Sequence, residues 1–185
     1  MEAARAVNFH RKDALVVSTS SALRDWNAVS QRRDLDVDLK DCMNRAPAVG
    51  LGLALARPGS KVIVLDCDAT LRTGLGSLAT IGEAGPENLV HLVFDDGSYG
   101  STEGAPIWGL DKVDFQAMAR NAGYAKTYRF DELEELLLGL GKAISEPGPV
   151  FVVVKVRCDA QPPPMPGRTM AEGWATVRRT LMREE

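Results

Sequence analysis

The stretch from Lys61 to Pro106 constrains the fold more than any other part of the chain. It holds two apolar, β-branched runs, KVIVLDCD and LVHLVFDD, each closing on acidic residues and separated by a segment of helical character. Strand, helix and strand in this order read as a βαβ unit, whose parallel strands deliver their carboxyl ends to one edge of a sheet. Asp68 and Asp96 then stand side by side. Paired carboxylates at strand ends suit Mg²⁺, which takes hard oxygen ligands and keeps positions for water and phosphate. The helix expected after Asp68, starting near Ala69 and Thr70, turns its free N–H groups to the same edge, where they favour an anion. Metal and helix terminus together predict a diphosphate ligand.

The same alternation runs through the rest of the chain. Strands are expected near Ala14 to Thr19, Lys61 to Asp66, Leu89 to Asp95, Lys126 to Arg129 and Val150 to Val156. Helices are expected near Ser21 to Ser30, Arg45 to Ala56, Leu71 to Glu83, Lys112 to Asn121 and Asp131 to Ile144. This pattern predicts an α/β fold, a three-layer α/β/α arrangement around a mostly parallel sheet, with ligands at the carboxyl edge. With 185 residues, 45% of them hydrophobic, the chain fits one domain, 1–185. Within it, 161–185 reads as a Pro-rich connector, QPPPMP, and a terminal helix from Met170 to Arg183 carrying Trp174 and Leu181. Asp131 opens a helix with acidic residues in its first turn, a structural feature.

Net charge is −3 with both signs spread along the chain, so no basic stripe for nucleic acid and no polybasic membrane patch is present. No apolar run approaches the roughly 20 residues of a membrane span, and the polar start from Met1 to Lys12 lacks a signal-peptide core. A cytoplasmic protein is expected. The 3 cysteines, Cys42, Cys67 and Cys158, form no CxxC pair and suggest free thiols in a reducing compartment. His10 and His91 lack metal-like spacing, and His91, inside an apolar run, reads as a core residue.

The residues quoted above resemble the C-terminal, diphosphate-binding domain of thiamine diphosphate (TPP) enzymes, most closely the sulfopyruvate decarboxylase β-subunit and the matching half of phosphonopyruvate decarboxylase. The likeness extends from about Asp13 to Val156 and includes GLGLALA from Gly50, LGSLATI from Leu75, and DGSYGST from Asp96. It implies the TPP-binding fold, with TPP and Mg²⁺ as cofactors. Asp68 and Asp96 would bind the metal through their carboxylates and Ser98 through its carbonyl. The cofactor-contacting positions would be Met43, Cys67, Asp68, Ala69, Thr70, Asp96, Ser98, Tyr99 and Gly100. Met43 aligns with the apolar residue beneath the thiazolium ring in relatives, and Thr70 with a hydroxyl residue beside the diphosphate. Tyr99, Ser101 and Thr102 fall on a glycine-rich loop that in relatives is a flexible active-site segment and that reads equally as a polar surface turn. Trp108 would close over the site or anchor that loop.

Several positions depart from the family pattern. Gly-Asp-Gly is replaced by Cys67-Asp68-Ala69, the metal-binding Asn by Asp96, a glycine by Glu103, and Gly-Ser-Met-Gly by Asp41-Cys42-Met43-Asn44. Glycines at such turns permit positive φ or close backbone approach, and the added acids put negative charge beside an anionic ligand.

The resemblance further implies a TPP-dependent decarboxylase subunit of β type acting on a small anionic 2-oxoacid resembling sulfopyruvate or phosphonopyruvate. The glutamate that activates the cofactor belongs to an α-type pyrimidine-binding partner, so no catalytic residue is assigned to this chain. A hetero-oligomer, a dimer of heterodimers or larger, is expected. A second possibility is a non-catalytic scaffold or regulatory subunit with a degenerate TPP site. A third reads Asp66-Cys67-Asp68-Ala69-Thr70 as the Asp-x-Asp-x-Thr motif of haloacid-dehalogenase-type phosphatases, with Asp66 as nucleophile and Asp95-Asp96 as the metal pair. Gly50-Leu51-Gly52 hints at a dinucleotide fingerprint, but the third glycine falls on Leu55, and close helix packing explains it better.

Overall fold

Six parallel strands in the order β2-β1-β3-β4-β8-β7 form the centre of the computed structural model, which describes residues 1–99, 105–107, 109, 112–157 and 161–183. They are β1 (Leu15–Thr19), β2 (Asp36–Leu39), β3 (Val62–Cys67), β4 (Leu89–Asp95), β7 (Lys126–Phe130) and β8 (Val150–Lys155). The inner strands are buried on both faces, so they read as continuous Val, Ile and Leu runs without alternation. From β1 the chain steps outward to β2, then returns to the other side for β3. That reversal puts a topological switch point between β1 and β3, where open α/β sheets bind ligands at the carboxyl edge.

One face is covered by α1 (Glu2–His10), α2 (Ser20–Val29) and α7 (Leu133–Ser145), and the other by α3 (Ala46–Ala56), α4 (Asp68–Arg72), α5 (Gly76–Ala84), α6 (Phe115–Asn121) and α8 (Met170–Leu181). A short antiparallel hairpin, β5 (Ser98–Tyr99) with β6 (Ala105–Pro106), follows β4. Layers, parallel sheet and the five expected strands agree with the sequence.

Three features differ from the sequence reading. The start of the chain is helical, because Ala3, Ala4, Ala6 and Val7 form a buried stripe. The helix expected from Leu71 to Glu83 is two helices, broken across Thr73 to Leu75, where the Asn44 side chain lies against Gly74: a Cβ there would sit 2.7 Å from the Asn44 Cβ. Finally, β2 is an unforeseen edge strand. Asp36 is fully buried, accepting from Arg11 (2.8 Å) and Arg33 (3.0 Å), and Asp38 accepts from Arg33 and Arg168 (2.7 Å each). Arg11 also lies over the Trp26 ring, 5.1 Å from its centroid.

The proline-rich connector leads into α8, which covers that edge. Thr169 and Glu172 cap the helix reciprocally, and Trp174 donates its indole N–H to the Asp38 carbonyl at 3.2 Å.

Gly50 and Gly52, one turn of motif, play opposite parts. A Cβ on Gly50 would lie 2.2 Å from Val64 Cγ2 of β3, whereas one on Gly52 would meet nothing within 4 Å. Gly50→Ala should therefore destabilise by about 1–3 kcal/mol through overpacking. Gly52→Ala should be neutral or stabilising by up to about 1 kcal/mol through helix propensity. Urea unfolding of both variants checks the contrast, and equal effects would contradict it.

Candidate functional site

The register of β3 and β4 sets Cys67 opposite Phe94, so the next residues, Asp68 and Asp95-Asp96, emerge together at the carboxyl edge. Asp68 is fully buried. Its Oδ1 accepts from the Ala69 N–H and its Oδ2 from the Gly97 N–H, both at 2.7 Å. Asp96 Oδ1 accepts from the Ser98 N–H and the Ser98 hydroxyl, again at 2.7 Å. Successive amides of one turn thus clasp both carboxylates. That turn needs φ = +75° at Gly97, a conformation natural to glycine.

Burial, with the charges of Asp96 and Asp95 adding to it, pushes the Asp68 carboxyl up to about 7, against the pull of the Gly97 and Ala69 amides. Asp95 itself turns aside to Lys155, 3.3 Å away. The Ser98 carbonyl is placed by the hairpin. The Ile107 N–H donates to the Gly97 carbonyl, which makes Ser98–Pro106 the non-hydrogen-bonded pair and points the Ser98 carbonyl out of the hairpin. Two carboxylates and one carbonyl fit a hard divalent cation. Among the described residues, no cluster of three or more His, Cys, Asp or Glu side chains with metal-binding geometry occurs, so further positions would fall to backbone, water and phosphate.

The anion-binding expectation at the helix start needs correction. The Ala69 N–H is taken by Asp68, the Cys67 N–H donates to Asp66 at 2.8 Å, and the Thr70 N–H is turned to the Cys67 sulfur in a capping-box arrangement. With only five residues and the amides of Ala69 and Thr70 engaged, α4 presents a narrower terminus than the sequence suggested. Thr70 also turns inward: it is 1% exposed, and its hydroxyl is bonded to Asp66 and to the Cys67 carbonyl.

The departures from the glycine pattern sort into two kinds. Asp41 and Asn44 adopt φ of +57° and +54°, so the positive φ is kept by the two residue types that tolerate it best after glycine. Cys67 has φ of −130° and Ala69 lies in α4, so neither needs glycine for its backbone. Their side chains instead pack with Ile107 and Tyr99 of the hairpin. Burial, helped by the Asp66 charge, pushes the Cys67 thiol up, which keeps it protonated and inert.

Met43 lies half exposed in the loop after β2. The Thr19 hydroxyl, bonded to the carbonyls of Leu39 (3.1 Å) and Cys42 (3.4 Å), fixes that loop to the end of β1. The Cys42 thiol faces Met170 at 3.9 Å, and Cys42 and Cys67 are both free. Gly100, Ser101, Thr102, Glu103, Trp108 and Cys158 lie outside the described residues. The phosphatase reading fails on Asp66: the supposed nucleophile is fully buried, bonded to Cys67 and Thr70 and facing His91. His91 was legible as a core residue. Its pairing with Asp66 and Tyr124 was not, because nothing in the sequence links those three positions.

Asp68 supplies a pH test. Its folded-state pKa lies above the ordinary 3.8, so the folded protein holds this proton more tightly than the unfolded chain. The stability it gives is full below about 4 and is lost as pH rises toward 7. In metal-free buffer the loss should reach at most about 1.4 kcal/mol per pH unit. Urea titrations across this range should show the decline in the unaltered chain and a flatter profile in Asp68→Asn.

The sequence model described as "Thiamine pyrophosphate enzyme, C-terminal TPP binding domain" matches residues 20–154. A phosphonopyruvate decarboxylase of Streptomyces viridochromogenes is 37% identical over 79% of this chain and 36% of its own length. A sulfopyruvate decarboxylase subunit beta of Methanocaldococcus jannaschii is 33% identical over 61% of this chain and 59% of its own. The chain therefore spans between about a third and three fifths of these relatives. In fold it resembles a solved thiamin diphosphate-dependent enzyme from Mycobacterium smegmatis, with TM-score 0.71 and 18% identity over 84% of this chain and 31% of that one. By the match of most of its length, the chain belongs to the family of thiamine pyrophosphate enzyme C-terminal TPP-binding domains.

Proposed function

We propose that this chain is the diphosphate-binding half of a TPP- and Mg²⁺-dependent 2-oxoacid decarboxylase, a β-type subunit that completes its active site with an α-type, pyrimidine-binding partner in a cytoplasmic hetero-oligomer. The observation that carries the reading is the convergence of the buried Asp68 and the partly buried Asp96 on one turn, in a chain of this family. Asp68, Asp96 and the Ser98 carbonyl would hold the metal, and the metal would hold the diphosphate. When bound, the cofactor supplies the electron sink for loss of CO₂ from a 2-oxoacid. The residues of this chain position its phosphate end. Relatives named for phosphonopyruvate and sulfopyruvate support a small anionic substrate of that kind.

A second reading has its own support. The engaged amides of Cys67, Ala69 and Thr70, together with the packing of Cys67 and Ala69 on Ile107, favour a scaffold subunit that no longer takes up TPP.

Calorimetric titration of Mg²⁺ and TPP into the chain, alone and with its copurifying partner, separates the two. Binding that disappears in Asp68→Ala supports the decarboxylase subunit, and absence of binding in both settings supports the scaffold. The double substitution Cys67→Gly, Ala69→Gly releases the Thr70 N–H and opens the turn. It should tighten TPP binding by about tenfold, the worth of one charge-assisted hydrogen bond.

A further inference from the structure

Behind the turn that carries Asp68 lies a polar chain that the proposed chemistry does not use. Asp66 on β3 and His91 on β4 are fully buried, and Tyr124, between α6 and β7, is 5% exposed. Tyr124 Oη is 3.1 Å from His91 Nδ1, and His91 Nε2 is 3.5 Å from Asp66 Oδ2. On its other oxygen Asp66 accepts the Cys67 N–H and the Thr70 hydroxyl, which are the first links of the turn that carries Asp68. Phe151 meets both rings edge-on, at 5.2 Å from His91 and 5.4 Å from Tyr124, and fixes their orientation.

The order of hydrogens follows from what each group can do. A carboxylate only accepts, so the imidazole must turn an N–H toward Asp66, and in the neutral ring Nδ1 is then the acceptor. Tyr124 then donates its hydroxyl to Nδ1. Burial and the charge of Asp66 push the Tyr124 phenol up, which keeps that hydrogen in place. The junction between His91 and Asp66 is slack: Nε2 and Oδ2 are both buried without a completed hydrogen bond. An uncompensated carboxylate in the core is costly, so whatever faces Oδ2 decides how firmly Asp66 can hold Cys67 and Thr70.

We infer that His91 and Tyr124 are positioning residues, which act through Asp66 to hold the Cys67–Thr70 turn, and with it the Asp68 carboxylate, in place for a divalent cation. The consequence for the cation rests on the metal reading given above, whereas the consequence for the turn does not. Groups one shell behind a metal ligand typically change metal affinity by about 10–100-fold.

The test uses the full chain and two readouts. Amide hydrogen exchange reports the turn, and uptake of Mn²⁺ followed by electron paramagnetic resonance reports the cation site. In His91→Leu the protection of the Cys67, Ala69 and Thr70 amides should fall by about tenfold or more relative to those of β1 and β8. Its Mn²⁺ affinity should fall by about 10–100-fold. His91→Gln, which keeps an N–H directed at Asp66, should recover much of both. Tyr124→Phe, the milder change should His91→Leu fail to fold, should give a smaller loss confined to the same amides. Unchanged protection at the turn, or an equal loss across the whole sheet without rescue by Gln, overturns the inference. Should the unaltered chain take up no Mn²⁺, the metal reading falls by itself, and the exchange pattern still supports or overturns the positioning role.

Discussion

Everything at the candidate site depends on the parallel pairing of β3 with β4. That pairing brings Asp68 and Asp96 to one turn, where the burial of Asp68, with the charge of Asp96 adding to it, raises the cost of its carboxylate. Like charges withdrawn from water are costly unless hydrogen bonds or a counter-charge compensate them. The amides of Ala69, Gly97 and Ser98 provide part of the compensation, and the last two are presented by the turn that Gly97 makes at positive φ. The remainder shows in the tighter hold of Asp68 on its proton, and a divalent ion would meet the same deficit.

The changed glycines show that glycine serves these turns in two separable ways. Where positive φ is the service, Asp41 and Asn44 perform it with little loss, since their short polar side chains tolerate the left-handed region. Where open space is the service, Cys67 and Ala69 do not replace it. They fill the space with a thiol and a methyl that pack on the hairpin, and the thiol takes up an amide that would otherwise point outward. The loop at Asp41 to Asn44 thus keeps a backbone suited to glycine, while at the start of α4 the space that glycine would leave is filled. This is why the same site supports both a metal-centred decarboxylase subunit and a scaffold.

Legibility followed the hydrophobic pattern. β3, β4 and β8 are continuous apolar runs because parallel strands are covered on both faces, and such runs declare themselves. β2 did not, because Asp36-Val37-Asp38-Leu39 places two carboxylates in the interior, and only the three-dimensional arrival of Arg11, Arg33 and Arg168 makes them bearable. α1 escaped notice because its buried stripe is mostly alanine, which carries little hydrophobic signal. The side-by-side acids at the edge followed from topology alone. The state of the α4 amides could not, since it depends on which acceptor each N–H finds at close range, a matter of local geometry that no residue pattern reports.

Four aspartates crowd this end of β3 and β4, and their partners divide them. Asp66 points into the core and faces His91. Asp95 turns to Lys155. Asp68 and Asp96 have amides and a hydroxyl, but among the described residues neither forms an ion pair. A sequence that needed only to fold would gain by pairing or neutralising this last couple, since like charges at a buried edge oppose folding. Asp66 and Asp95 thus each face a side chain able to share their charge, whereas Asp68 and Asp96 are held by neighbouring amides and a hydroxyl, so among the described residues this pair is the one that an external cation would serve best.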